Sequence, residues 1–185
     1  MNKGVSQKRR AILRSMAALG AMLLHVGIVA GCAGLSAGET AAPVLHLVRH
    51  AEKDLGRDPA LTADGEARAQ ALVETLADAP IEVIYSTNYE RTRLTARPIA
   101  LARELPIIYY DPSDLEAFAR KLKSENRSAL IVGHSNTTPQ LVEALGGEAG
   151  APITEATEYD RLYRIELTTS RPDTVILRYG MLTER

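Results

Sequence analysis

One cysteine in 185 residues can form neither an internal disulfide nor a zinc–thiolate cluster. The chain has no tryptophan and one phenylalanine, and aromatic residues make up only 4% of it. Its formal net charge is −1, so there is no basic excess either. Together these exclude a stacking platform for single-stranded nucleic acid, and no nucleic-acid partner is expected. No internal repeat or low-complexity tract points to a solenoid or a disordered tail. No apolar run reaches the roughly 20 residues of a membrane-spanning helix. The longest, Met16 to Ala30, is weakened by Gly20, His25 and Gly27. What is present is ordinary for a globular protein, 45% apolar and 24% charged residues, in a length that allows one domain or at most two small ones.

Acidic residues are missing from residues 1–31, which carry Lys3, Lys8, Arg9, Arg10 and Arg14. A basic start, a short apolar middle and a small-residue end describe an export signal peptide rather than part of the fold. Its end, Val29-Ala30-Gly31-Cys32, resembles the bacterial lipoprotein signal, in which the chain is cut before a cysteine that becomes lipid-modified. The resemblance implies anchoring of Cys32 in a lipid bilayer of the cell envelope, on the periplasmic side of the outer membrane if the bacterium has two membranes. Lys8 to Leu13 also has the look of a twin-arginine motif, so the export route stays open between two systems. Residues 32–42 then form the lipidated cysteine and a flexible tether of small residues, and 43–185 the folded domain. An inward-facing membrane anchor is the alternative for residues 1–42.

In that domain short apolar runs alternate with helical patterns. Val44–Val48 suits a strand buried on both faces. A helix over 63–78 is capped by Thr62, and a strand follows over 81–85. The next helix covers 89–105, with Pro98 predicting a kink or restart, and a third strand covers 106–110. Ser113 and Glu116 read as a capping box for a helix over 114–124. A fourth strand over 129–132 and a short helix over 137–145 complete the alternation. Residues 161–168 and 174–179 then alternate like an antiparallel hairpin about a turn at 170–173. The expected fold is therefore α/β: a three-layer α/β/α arrangement with a mostly parallel sheet and a C-terminal antiparallel hairpin.

Ligands in such folds bind beyond the carboxyl ends of the strands, and polar residues gather there. Arg49-His50-Ala51-Glu52-Lys53 follows the first strand, Ser86 to Arg91 the second, Asp111 the third, and Gly133-His134-Ser135-Asn136 the fourth. If the strands are parallel, Arg49, His50, Arg91 and His134 converge. Arginine offers a planar fork of donors that fits phosphate, and a neutral imidazole can attack phosphorus. With no acidic or cysteine cluster to hold a metal, the positive charge must come from side chains and backbone N–H groups. His46 shares the face of His50 by period two, and reads as a core histidine. Asp58-Pro59 reads as a turn, Arg93 as part of a solvated helix face, and Tyr159-Asp160 as a rim contact.

Leu47 to Lys53, Tyr85 to Ala96, and Val132 to Asn136 resemble, in order, three sequence blocks of the histidine phosphatase superfamily, in its phosphoglycerate-mutase-like branch. The resemblance covers essentially 43–180. It implies a cofactor-independent phosphatase acting on a small phosphorylated substrate or on phosphohistidine. His50 would be the nucleophile, Arg49 and Arg91 the phosphate grip, and His134 the group that completes the pocket. Two departures matter. Gly56 stands where many members carry a phosphate-binding asparagine, so Lys53 and Asn88 are candidate replacements. The usual general-acid glutamate is not evident, which makes Asp111 and Glu52 the candidate proton donors. Its absence fits substrates with good leaving groups. It also fits the alternative function, a phosphate-ligand-binding protein of the same fold with little or no turnover.

Overall fold

A computed structural model describes residues 41–168 and 172–182. The expected signal peptide, Cys32 and nearly all of the tether lie outside the described residues, as do Ser170 and Arg171 of the expected turn. The elements follow the alternation: β1 (Val44–Arg49), α1 (Ala63–Thr75), β2 (Val83–Ser86), α2 (Glu90–Arg103), β3 (Ile107–Tyr109), α3 (Leu115–Glu125), β4 (Ala129–Gly133), α4 (Thr137–Ala144), β5 (Arg161–Glu166) and β6 (Asp173–Arg178). They form one six-stranded sheet in the order β3-β2-β4-β1-β5-β6. The first four strands are mutually parallel, whereas β5 runs antiparallel to β1 and β6 antiparallel to β5.

Strand alternation divides the core between the two faces. Leu45, Leu47, Tyr85 and Ile131 point to one side, where Phe118 and Leu122 of α3 and Leu141 of α4 cover them. Val48, Ile84, Leu130 and Val132 point to the other, under Leu72 of α1 and Ile99 of α2. This is the expected three-layer arrangement. His46 belongs to it as a core histidine. It is 5% exposed, sits between Leu130 and Arg164 in the sheet register, and does not reach the cleft described below. Burial, assisted by Arg164, lowers its pKa to about 4.

Local chemistry sets the helix ends. Thr62 accepts a hydrogen bond from the Gly65 N–H at 3.1 Å and starts α1 as expected. At α3 the cap is Asp114 rather than Ser113. The Asp114 carboxylate accepts from the Ala117 N–H at 2.9 Å, while the Ser113 N–H donates to Asp111. Helix α2 passes through Pro98 without a restart. Gly65 allows α1 to lie against the segment after β1, because a Cβ there would stand 2.1 Å from the Glu52 carbonyl oxygen.

The parallel strands end at one edge. Arg49 pairs with Gly133, and Ser86 with Val132. The ladder continues past β1, since the His50 N–H donates to the Gly133 carbonyl at 2.9 Å. Residues 50, 87–91 and 134 are thereby brought to one place.

Candidate active site

His50, Tyr89, Arg91 and His134 border a cleft of about 560 Å³, lined also by Lys53 and Glu155 among others. His50 and His134 meet edge to face, with ring centroids 5.6 Å apart. The His50 Nδ1 lies 2.8 Å from the Ala51 carbonyl oxygen. A carbonyl only accepts, so Nδ1 carries the proton and the lone pair of the neutral ring is on Nε2. Burial, and after it the charges of Arg49 and Arg91, lower the His50 pKa to about 3, although the bond to Ala51 works the other way. The ring is therefore neutral at physiological pH.

His134 has the opposite tautomer. Arg91 Nη2 donates to its Nδ1 at 3.4 Å, and its Nε2–H donates to Thr87 Oγ1 at 2.9 Å. Burial, then Arg91 and Arg49, lower its pKa to about 4. Thr87 is held in turn by Thr92, whose hydroxyl donates to the Thr87 carbonyl at 2.8 Å. The first turn of α2 thus fixes both Arg91 and the orientation of His134.

The two arginines are braced from different parts of the chain. Arg49 is 1% exposed, donates through Nη1 to the Glu158 carbonyl at 2.9 Å, and lies 4.0 Å over the ring of Tyr159. Arg91 lies 4.6 Å over the ring of Tyr89 and 3.5 Å from the Asp58 carboxylate. The Nε of each is buried and has no acceptor among the described residues. Two such donors suit an oxyanion. The N-termini of α2 and α4 border the same cleft and add their positive dipole ends.

Several expected members are placed differently. Lys53 lines the cleft, but Asn88 does not. Its side-chain carbonyl instead accepts from Arg93 at 2.8 Å. The Glu52 carboxylate turns toward α1 and receives three hydrogen bonds from Arg68, the shortest 2.7 Å, so it is not a free proton donor. Asp111 is fully exposed and does not line the cleft. The Ser113 N–H and hydroxyl lower its pKa, so it too is no proton donor. Sequence reading missed Tyr89 and Glu155, and it read Asp58 as only a turn. Asp58 also accepts from the Glu90 N–H at 2.9 Å, which joins the loop after β1 to the start of α2. Tyr159 is more than a rim contact, since its face covers Arg49.

The arrangement is a neutral imidazole with a free Nε2, flanked by two guanidinium groups and a second imidazole. Chemically it can accept a phosphoryl group and neutralise its oxygens. The comparisons with known proteins agree with this. The family model of the histidine phosphatase superfamily (branch 1) matches residues 45–112. A stretch of 75 residues is 41% identical to phosphoserine phosphatase 1 of Hydrogenobacter thermophilus. That match covers 36% of this chain and 36% of the relative, so it spans about a third of the relative's length. Among solved structures, the protein histidine phosphatase SixA in complex with tungstate aligns with TM-score 0.57 at 18% identity, over 76% of this chain and 96% of that one. A mycobacterial glucosyl-3-phosphoglycerate phosphatase aligns with TM-score 0.58 at 12% identity, over 75% and 98%. At these identities the structures establish the shared fold.

Proposed function

We propose, from the cleft's geometry and the match of residues 45–112 to the histidine phosphatase superfamily, that the chain is a phosphatase of that family working through a phosphohistidine at His50 and tethered to the bacterial cell envelope at Cys32. The observation that carries the catalytic reading is the bond from His50 Nδ1 to the Ala51 carbonyl. It leaves Nε2 as the nucleophile, in a ring that the surroundings keep neutral. Nε2 attacks phosphorus, the P–N bond forms as the bond to the leaving oxygen breaks, and Arg49 and Arg91 hold the remaining oxygens while His134 closes the pocket beside the His50 ring. Water then attacks the phosphohistidine, releases phosphate and restores His50. The substrate is a phosphate ester or anhydride, or phosphohistidine itself.

The test is hydrolysis of p-nitrophenyl phosphate by the full chain with chelator present. Arg91→Ala is expected to lose about a hundredfold or more in kcat/KM, the scale of removing one preorganised donor from a charge-stabilising site. Arg93→Ala should stay within about threefold, because its guanidinium is engaged by Glu90 and Asn88 outside the cleft. Equal losses would show that the wrong arginine of α2 has been assigned to the phosphate. Binding of phosphate esters without turnover would make the protein a phosphate-ligand-binding member of the fold.

The tether rests on the sequence Val29-Ala30-Gly31-Cys32 after a basic and then apolar segment. Several acyl chains on one residue anchor durably, since each buried CH₂ contributes about 0.8 kcal/mol. Cells fed a radioactive fatty acid should label the wild-type protein and not Cys32→Ser. An unlabelled wild type overturns the lipoprotein reading.

A further inference from the structure

The substrate range of a phosphohistidine enzyme depends on how it treats the leaving group. An alkoxide is a poor leaving group and needs a proton as its bond to phosphorus breaks, whereas a nitrophenolate or an imidazole does not. The two acids nearest the nucleophile and the third strand end are unavailable. Glu52 is held by Arg68, and Asp111 is exposed, accepts from the Ser113 N–H and is not among the residues that line the cleft. Asp58 is occupied by Arg91 and by the Glu90 N–H.

One carboxylate does line the cleft among the described residues, that of Glu155. It lies in the segment between α4 and β5, three residues before Glu158, whose carbonyl holds Arg49, and four before Tyr159, whose ring covers Arg49. Glu155 is near enough to Arg49 for its charge to be felt by that guanidinium. Yet no hydrogen bond or salt bridge to a described residue occupies its carboxylate. It is exposed, whereas His50 and Arg49 are buried. A carboxyl group left free in a cleft otherwise lined by cationic and neutral side chains is placed to exchange protons with whatever enters.

We infer that Glu155 is the proton donor to the leaving oxygen, and that the substrates are therefore phosphate monoesters of alcohols. The inference rests on the phosphatase reading above. In the first step Nε2 of His50 forms its bond to phosphorus. The P–O electron pair goes to the ester oxygen, and that oxygen takes the proton of the Glu155 carboxyl and leaves as the alcohol. In the second step the Glu155 carboxylate takes a proton from the attacking water, phosphate departs and His50 is free again. Protons and electron pairs balance over the cycle with water as the sole co-reactant.

The experiment compares full-length wild type, Glu155→Gln and Glu155→Asp on p-nitrophenyl phosphate, phenyl phosphate and glycerol phosphate, with thermal midpoints as the folding control. Glu155→Gln is expected to lose about a hundredfold in kcat on the alkyl ester and only a few-fold on the nitrophenyl ester, so that rate depends more steeply on leaving-group pKa. The alkaline limb of its kcat profile on the alkyl ester should vanish, and Glu155→Asp should recover part of the rate. Losses equal on all three esters, or no loss on any, overturn the assignment while leaving the phosphohistidine reading intact. A folded wild type that turns over none of the three overturns that reading and the inference with it.

Discussion

His50→Ala is expected to abolish phosphate-ester hydrolysis, by roughly 10⁴-fold or more, the scale on which deletion of a covalent nucleophile acts. The other members of the site lack a substitute. His134 is neutral too, but its Nδ1 receives Arg91 and its Nε2–H is directed at Thr87, so no lone pair is free. Arg49 and Arg91 cannot act as nucleophiles. The variant should nevertheless fold. In the wild type the His50 ring makes one hydrogen bond, to a carbonyl of the next residue, and the backbone N–H that bonds Gly133 is retained. Two measurements check this. Steady-state rates give the loss, and rapid quenching with radiolabelled phosphate ester should trap acid-labile, base-stable label on the wild type but not on His50→Ala. Retained turnover in the variant would sink the assignment of His50 outright.

The second large effect is a loss of stability in mild acid. His46, His50 and His134 all have lowered pKa values, about 4, 3 and 4, because burial disfavours their charged forms. In the unfolded chain each titrates near 6.5. Above that pH both states are neutral and the stability is fully present. As pH falls from about 6.5 toward 4, the unfolded chain takes up protons that the folded chain excludes, and stability is lost. Each such group contributes up to about 1.4 kcal/mol per pH unit. A loss of several kcal/mol by pH 5 is a large part of the roughly 5–15 kcal/mol that holds a typical domain together. Urea unfolding at pH 7.5 and pH 5 should show the difference, and His46→Leu should flatten the slope without touching the cleft. A flat profile over that range would contradict the burial of these rings as neutral groups. His50 itself stays neutral throughout, so brief initial-rate assays should show no acid limb near pH 6.5 from it.

The sheet was legible because β1, β2 and β4 are short apolar runs with no polar interruption apart from His46, and their boundaries move by a residue or two. The convergence of His50 and His134 with Arg49 and Arg91 was legible for a related reason. They follow strand ends, and parallel strands must end together. The acids were not. Glu52 is two residues from His50, but successive residues leaving a strand point in different directions, and this one points at Arg68 of α1. Nothing in the local sequence around Arg68 marks it as the partner of Glu52. Asp111 lies after the third strand, but its carboxylate turns to the Ser113 N–H, and it is the next two residues, Pro112 and Ser113, that line the cleft. Glu155 and Tyr159 belong to a segment with neither helical nor strand periodicity. Their place depends on β5 pairing with β1, which no local pattern announces.

That the two histidines stand on neighbouring strands far apart in sequence has a kinetic consequence. The pairing of β1 with β4 closes a loop of some eighty residues, with three helices and two strands between them. Closures of this length are entropically expensive and tend to come late and slowly in folding. Arg49 also waits for the loop before β5, which supplies the carbonyl of Glu158 and the ring of Tyr159. A nascent chain emerging from the ribosome therefore carries His50 early and the surroundings that set its protonation last. Until the central ladder zips, the histidine at its tip is an ordinary one, ionising near neutrality and indifferent to phosphate.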